Sequence, residues 1–321
     1  MKKIRLKTIA YLLLLIMVLS QPSSTFQYAY SGLYQWAVKM VPTLFPFMMI
    51  SSIMLYSGID IELGRIISRL LSRAYRYSEY GLYAIFIGFL CGFPMGAKVV
   101  SELYENGKIS RGEAESLLGF CNNIGPAYFL GIILPMLGEC GFHNKLPFIF
   151  GMYGIPALYG VILSRIYYKR KNTANKQNIF VQPKPQSQPQ PSLPSLLKRA
   201  CLENTQSLIL LGGYITFTNA FRVSLDFLPL SDNAKAIMSS LIEIIGGVQT
   251  IYLTDMTSAV KVFCIMTALC FGGVSCFLQA SCFLEGSKLS LTDYLKHKLI
   301  ITAVSGVYYL ILLQGHIYLS L

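Results

Sequence analysis

Leu33 to Ser57 carries one charged residue, Lys39, and Leu299 to Leu319 carries none. Runs of that length and apolarity match the roughly 20 residues a helix needs to cross the hydrocarbon core of a bilayer. The pattern returns from Leu146 to Tyr167, from Thr205 to Phe221 and from Val260 to Leu284. Of the 321 residues, 54% are hydrophobic and 13% charged, against about 25% charged in a soluble domain. One globular core cannot hold so much apolar side chain behind a polar surface. A soluble enzyme, a disordered chain and a disulfide scaffold are therefore excluded, and an all-α polytopic membrane protein is expected.

The formal charge of +12 does not call for nucleic acid, because membrane proteins gather Lys and Arg in cytoplasmic loops. Residues 1–20 combine Lys2, Lys3, Arg5 and Lys7 with an apolar run from Ile9 to Leu19. They read as a signal-anchor helix or a signal peptide, the uncleaved anchor being preferred, with the N-terminus cytoplasmic. A first membrane half is expected over 33–168. It includes a span kinked by Pro42 and Pro46 and a loop bearing Arg65, Arg69, Arg73 and Arg76. Residues 169–200 form a basic, Pro/Gln-rich cytoplasmic linker, and 201–321 a second membrane half. In this topology all but five of the 27 Lys and Arg lie inside, the five being Lys39, Lys145, Arg222, Lys235 and Lys261. Lys288, Lys296 and Lys298 mark the last inside loop, and Trp36 suits an interfacial anchor.

Two apolar pieces are too short and too broken to be plain spans. Tyr80 to Val100 contains Gly88, Gly92, Pro94 and Gly96 and runs into Lys98; Ala236 to Leu253 contains Glu243, Gly246 and Gly247. Broken backbone at membrane depth is tolerated only where it lines a cavity or is buried in protein. Each piece reads as a re-entrant hairpin, the first entering from inside and the second from outside. Each half then runs span, hairpin, span, span, and the halves are inverted repeats, a signature of transporters. A competing register pairs ENGKIS (105–110) with EGSKLS (285–290) and makes the first piece an ordinary span. Ser110 and Glu113 form a capping-box pattern opening a helix that enters the membrane near Leu117 and ends about Leu137.

Glu243 is the acidic residue in mid-run. It is expected to bind a proton or Na+, or to face a cation, since a carboxylate at that depth costs about 2.5–3.5 kcal/mol. Gly92, Pro94 and Gly96 allow backbone to approach a solute closely. Lys98 is placed either to hold an anion or to snorkel to the interface. Asn122 and Asn123, before Gly125 and Pro126, offer donors and acceptors to a polar solute without the cost of a charge. Ser275 and Gln279, beside Gly272 and Gly273, are weaker candidates of the same kind. The eight Cys show no ligand spacing and read as small packing residues, so no metal or other cofactor is expected. No HExxH, GxSxG, Walker or GxGxxG sequence is present, so no catalytic role is expected. Coupling to H+ or Na+ stays open. The partners expected are a small polar or anionic solute and the lipid bilayer, not nucleic acid, with no signal for an oligomeric state.

The stretch GFLCGFPMGAKVVSELYENGKISRGEAESLLGFCNNIGP (88–126) resembles the YlbJ-type sporulation integral membrane proteins of the nucleoside-recognition, or Gate, domain group. VPTLFPF (41–47), EIIGG (243–247) and FGGVSCFLQ (271–279) resemble the same pattern. The resemblance implies a multi-pass protein of endospore-forming bacteria, in the mother-cell or outer forespore membrane, that moves dipicolinate into the spore. Lys98, Asn122 and Asn123 would be binders of that aromatic dianion. Two other readings are a non-transporting sporulation assembly or signalling protein, and a nucleoside-type transporter.

Overall fold

The computed structural model describes residues 6–174 and 192–319. The basic start of the anchor (1–5) and the middle of the Pro/Gln-rich linker (175–191) lie outside the described residues. Every described element is helical. In chain order they are α1 (Leu6–Ser20), α2 (Pro22–Ser57), α3 (Ile59–Leu71), α4 (Glu79–Cys91), α5 (Met95–Glu105), α6 (Arg111–Leu118), α7 (Pro126–Glu139) and α8 (Leu146–Lys169). After the linker come α9 (Leu193–Phe227), α10 (Asp232–Ile242), α11 (Ile244–Tyr252), α12 (Ser258–Phe271), α13 (Gly273–Leu284) and α14 (Leu291–Leu319). Among the described residues α2, α8, α9, α12–α13 and α14 are long and apolar enough to cross a membrane. Their outer faces leave Leu158, Ile162, Ile209, Phe217, Val307 and Ile311 exposed. So much contiguous apolar surface is unsuited to water and natural against lipid. The chain is a multi-pass membrane protein.

Pro42 and Pro46 do not break α2. A π-turn at Trp36–Met40 directly precedes the proline-bearing stretch. Trp36 is not a free interfacial anchor: its indole packs on Gly212 of α9 and donates to Leu208 O at 2.9 Å. The stretch expected as an arginine-bearing loop is the amphipathic helix α3 up to Leu71. Asp60 and Glu62 open it and Arg69 closes it, in agreement with the helix dipole.

α2 and α9 run antiparallel. Tyr56 near the end of α2 lies under Arg199 at the start of α9 (4.2 Å), and Tyr28 near the start of α2 lies under Arg222 at the far end (4.9 Å). α4 and α5 form a helical hairpin whose two outer ends lie at the Tyr56 end, where Glu79 pairs with Arg65 (3.2 Å) and Lys108 with Asp60 (2.6 Å). α10 and α11 form a second hairpin whose outer ends lie at the opposite, Tyr28 end: α10 follows Arg222–Phe227, and Arg222 donates to Thr250 Oγ1 at 2.7 Å. Each hairpin anchors one apolar cluster. The first packs α4, α5 and α6 on α2; the second packs α11 and α12 on α7 and α14.

Three helices differ from expectation. The helix capped by Ser110, whose Oγ accepts from Glu113 N–H, stops at Leu118, and residues 119–125 are non-helical until Pro126 restarts the chain as α7. The run from Val260 to Leu284 is broken at Gly272 and Gly273, both at positive φ (+88° and +73°), a conformation that ends a helix cheaply only at glycine. The last helix begins at Leu291, two turns before the expected Leu299.

Candidate functional site

Four interruptions of helix meet between the two hairpin tips. The first is the α4–α5 turn, with Gly92 at φ +80°. Beside it runs the segment 119–125, and glycine spacing explains why. A Cβ on Gly88 would lie 2.2 Å from Cys121 O, one on Gly96 2.4 Å from the same oxygen, and one on Gly92 2.2 Å from Gly125 N. Three glycines four residues apart thus clear a channel along the hairpin, and the segment threads it backbone to backbone. Phe93 N–H closes the contact on Asn123 O at 2.6 Å.

The third interruption is the α10–α11 turn. Glu243 caps α11, its two oxygens accepting from Ile245 N–H (3.0 Å) and Gly246 N–H (2.7 Å). A carboxylate is the natural cap for unsatisfied N–H groups at the positive end of a helix. Gly247 packs on Ser240 Cα within the hairpin, and Gly246 packs against the Arg222 guanidinium. Arg222 is buried and donates to Asn219 Oδ1 (3.2 Å) and Thr250 Oγ1 (2.7 Å). The fourth is the α12–α13 break, which receives both tips. Gly272 faces the Phe93 ring, and Gly273 lies under the carbonyls of Ser240 and Leu241.

A chamber of about 250 Å³ opens between α2 and α7 and reaches this confluence. Phe93, Ile124, Gly125, Glu243, Cys276 and Gln279 form its inner wall, and Pro42, Leu44, Phe47 and Tyr128 its sides. Gln279 is buried, and its Oε1 has no protein partner. Of the residues marked in the sequence, Gly125, Glu243 and Gln279 line the chamber. Gly92, Gly96, Gly246 and Gly247 make the close approaches behind it, and Pro94 starts α5. Ser275 is fully buried next to Cys276. Asn122 donates to Tyr294 OH (3.0 Å) and leaves its Oδ1 unpartnered; Asn123 donates to Phe120 O (2.6 Å). Lys98 stands apart, buried between α5 and α2, paired with Glu102 (2.7 Å) and donating to Ser52 Oγ (3.1 Å).

Sequence reasoning missed Lys298. Expected as an inside-loop charge, it is 3% exposed on α14. Its Nζ lies 3.4 Å from Asn123 Oδ1, 3.2 Å from Cys270 O and 4.5 Å from the centre of the Phe93 ring. A signal existed: Tyr294, Lys298, Ile301, Ser305 and Tyr309 follow helical spacing and are all buried. Arg222, expected only as one of the five cations outside the inside loops, is buried as well. Among the described residues no group of three or more His, Cys, Asp or Glu is placed to hold a metal ion.

These features define an all-helical, multi-pass membrane protein with two opposed helical hairpins and a small chamber between their tips. The chain is a distant homologue of the sporulation integral membrane protein YlbJ of Bacillus subtilis (strain 168). It is 24% identical to that protein over 300 residues, covering 83% of this chain and 72% of the relative. No family model matches the chain, and no solved structure matches it.

Proposed function

We propose that this protein is a non-enzymatic membrane transporter of a small polar or anionic solute, by resemblance dipicolinate moved during bacterial endospore formation. The observation that carries the reading is the convergence of four helix interruptions on one chamber. Irregular backbone in a membrane protein is tolerated around cavities, and discontinuous helices at the junction of repeats are where transporters bind substrate. The chamber is smaller than the roughly 300–1,000 Å³ of sites for drug-sized ligands, which suits a metabolite. The opposed outer ends of the two hairpins support two inverted-repeat halves with re-entrant hairpins entering from opposite faces. The clustering of Lys and Arg supports placing the Tyr56 end in the cytoplasm. Alternating access then amounts to opening the chamber towards one face at a time.

The test is uptake. Vesicles reconstituted with the protein take up labelled dipicolinate, and the double change Asn122→Ala, Asn123→Ala abolishes uptake without lowering the amount of inserted protein. Absence of uptake of dipicolinate and of nucleosides by the wild type would favour an assembly or signalling role.

A further inference from the structure

Lys298 is a buried cation that makes no ion pair among the described residues. Its ammonium carries three donors. It meets one long contact to a side-chain amide, one to a main-chain carbonyl and the face of an aromatic ring. Taking a charge out of water costs several kcal/mol unless a counter-charge and full hydrogen bonding compensate. Two neutral oxygens at 3.2 and 3.4 Å fall short of that, since charge-assisted bonds run at about 2.7–2.9 Å. The neighbouring Asn122 Oδ1, also buried, has no partner either. Lys298 is thus a charged group held in an under-satisfied state at the place where both hairpin tips meet.

One side chain separates it from the chamber. Phe93 lines the chamber wall and lies over the ammonium. Phe93 sits on the tip of the first hairpin and abuts Gly272 at the α12–α13 break. A shift of that tip relative to α12 and α13 would join the ammonium to the chamber. Glu243 stands on the second hairpin, both of its oxygens already engaged by α11.

We propose that Lys298 supplies the counter-charge for an anionic group of the transported solute, Phe93 screening it while the site is empty. This inference rests on the transporter reading and concerns the anionic end of that solute; Lys39, Thr43, Glu243 and Gln279 are the polar residues of an otherwise largely apolar lining. The aromatic face and the ammonium would recognise the two ends of one small carboxylate.

The experiment uses full-length protein in vesicles, with labelled dipicolinate and labelled uridine as probes, and thermal unfolding in detergent as the second readout. Lys298→Met is expected to weaken dipicolinate uptake about tenfold to hundredfold, the range for one charge-assisted contact. Its unfolding temperature without solute should hold or rise, because an unpaired buried charge has been replaced by an apolar side chain. Asn123→Asp keeps the lysine and sets a carboxylate against it. This variant should lose dipicolinate uptake, because the counter-charge is now internal; it also loses the amide donor to Phe120 O, so its unfolding temperature is read beside its uptake. Wild-type uptake of dipicolinate with undiminished uptake by either variant overturns the role of Lys298 and leaves the transporter reading standing. Wild-type uptake of uridine but not of dipicolinate does the same. A lowered unfolding temperature in Lys298→Met, with Asn123→Asp transporting normally, makes the lysine structural and also overturns it. A wild type that moves neither probe refutes the transporter reading itself.

Discussion

Replacing Gly88 or Gly96 by alanine tests whether segment 119–125 is wedged against the first hairpin. The added Cβ would lie 2.2 Å (Gly88) or 2.4 Å (Gly96) from Cys121 O. A carbon–oxygen contact normally settles near 3.3 Å or beyond. Each alanine therefore forces a separation of roughly 1 Å, and the obstacle is main-chain carbonyl rather than a side chain that can swing away. Overpacking of this kind costs about 1–3 kcal/mol. At roughly 2–4 °C per kcal/mol, thermal unfolding of the purified protein should fall by several degrees for either variant. Cys121 directly precedes Asn122 and Asn123, so solute uptake should fall as well. The control is Gly213→Ala on α9, where nothing lies within 4 Å of the new Cβ. That helical glycine should tolerate alanine, or gain up to about 1 kcal/mol from the lost backbone entropy of glycine. If Gly88→Ala and Gly96→Ala unfold at the temperature of Gly213→Ala, the segment is not held in a glycine channel and the packing described here is wrong.

Two further outcomes bear on the frame. Lys98 is 4% exposed and Glu102 20%, with Nζ and Oε1 2.7 Å apart. Lys98→Met or Glu102→Gln alone should destabilise by about 3 kcal/mol, the low end for stranding one partner of a buried pair; the double variant should recover most of that loss. Strictly additive losses in a double-mutant cycle of thermal stability would show that the pair is not coupled. For topology, Asp232 and Lys296 are both exposed. On a background without native cysteines, a membrane-impermeant maleimide added outside should label Asp232→Cys and spare Lys296→Cys. Equal labelling of both sites would dispose of the inverted arrangement.

What the sequence disclosed followed the physics that acts locally. Long apolar runs, caps such as Ser110 with Glu113, and the glycine-rich turn at Gly92 are properties of a few consecutive residues. They marked the helix breaks near Gly92 and Glu243, and three of the marked residues, Gly125, Glu243 and Gln279, line the chamber. The misreadings arose where a distant neighbour decides the outcome. α3 looked like a charged loop because its arginines stand out, yet Gly64 packs on Glu79 O and Asp60 is held by Lys108 from the α5–α6 connection. Lys298 was grouped with Lys288 and Lys296 because charge density was used to end the span. Helical spacing from Leu291 turns that one lysine inward, while Lys296, two residues earlier, pairs with Asp293 on the exposed face.

The contacts among the four interruptions are of two kinds, and this decides how such a molecule can move. Within the first hairpin and segment 119–125, glycine brings main chain onto main chain at Gly88, Gly92 and Gly96, and Phe93 N–H bonds to Asn123 O. Within the second hairpin, Gly247 does the same on Ser240. Interfaces so close have no side-chain freedom to draw on, and separating them would leave backbone polar groups unsatisfied at membrane depth. Between the first unit and the α12–α13 break the contact is a side chain, Phe93 against Gly272, with Lys298 beneath it. A side-chain contact can part and re-form without breaking main-chain hydrogen bonds. In the proposed transport cycle, opening the chamber would carry each hairpin with its attached backbone as a block, and the contacts to part would be Phe93 on Gly272 and the Ser101 Oγ bond to Phe283 O (2.7 Å). The residue that would act as gate is then set by where the glycines are absent.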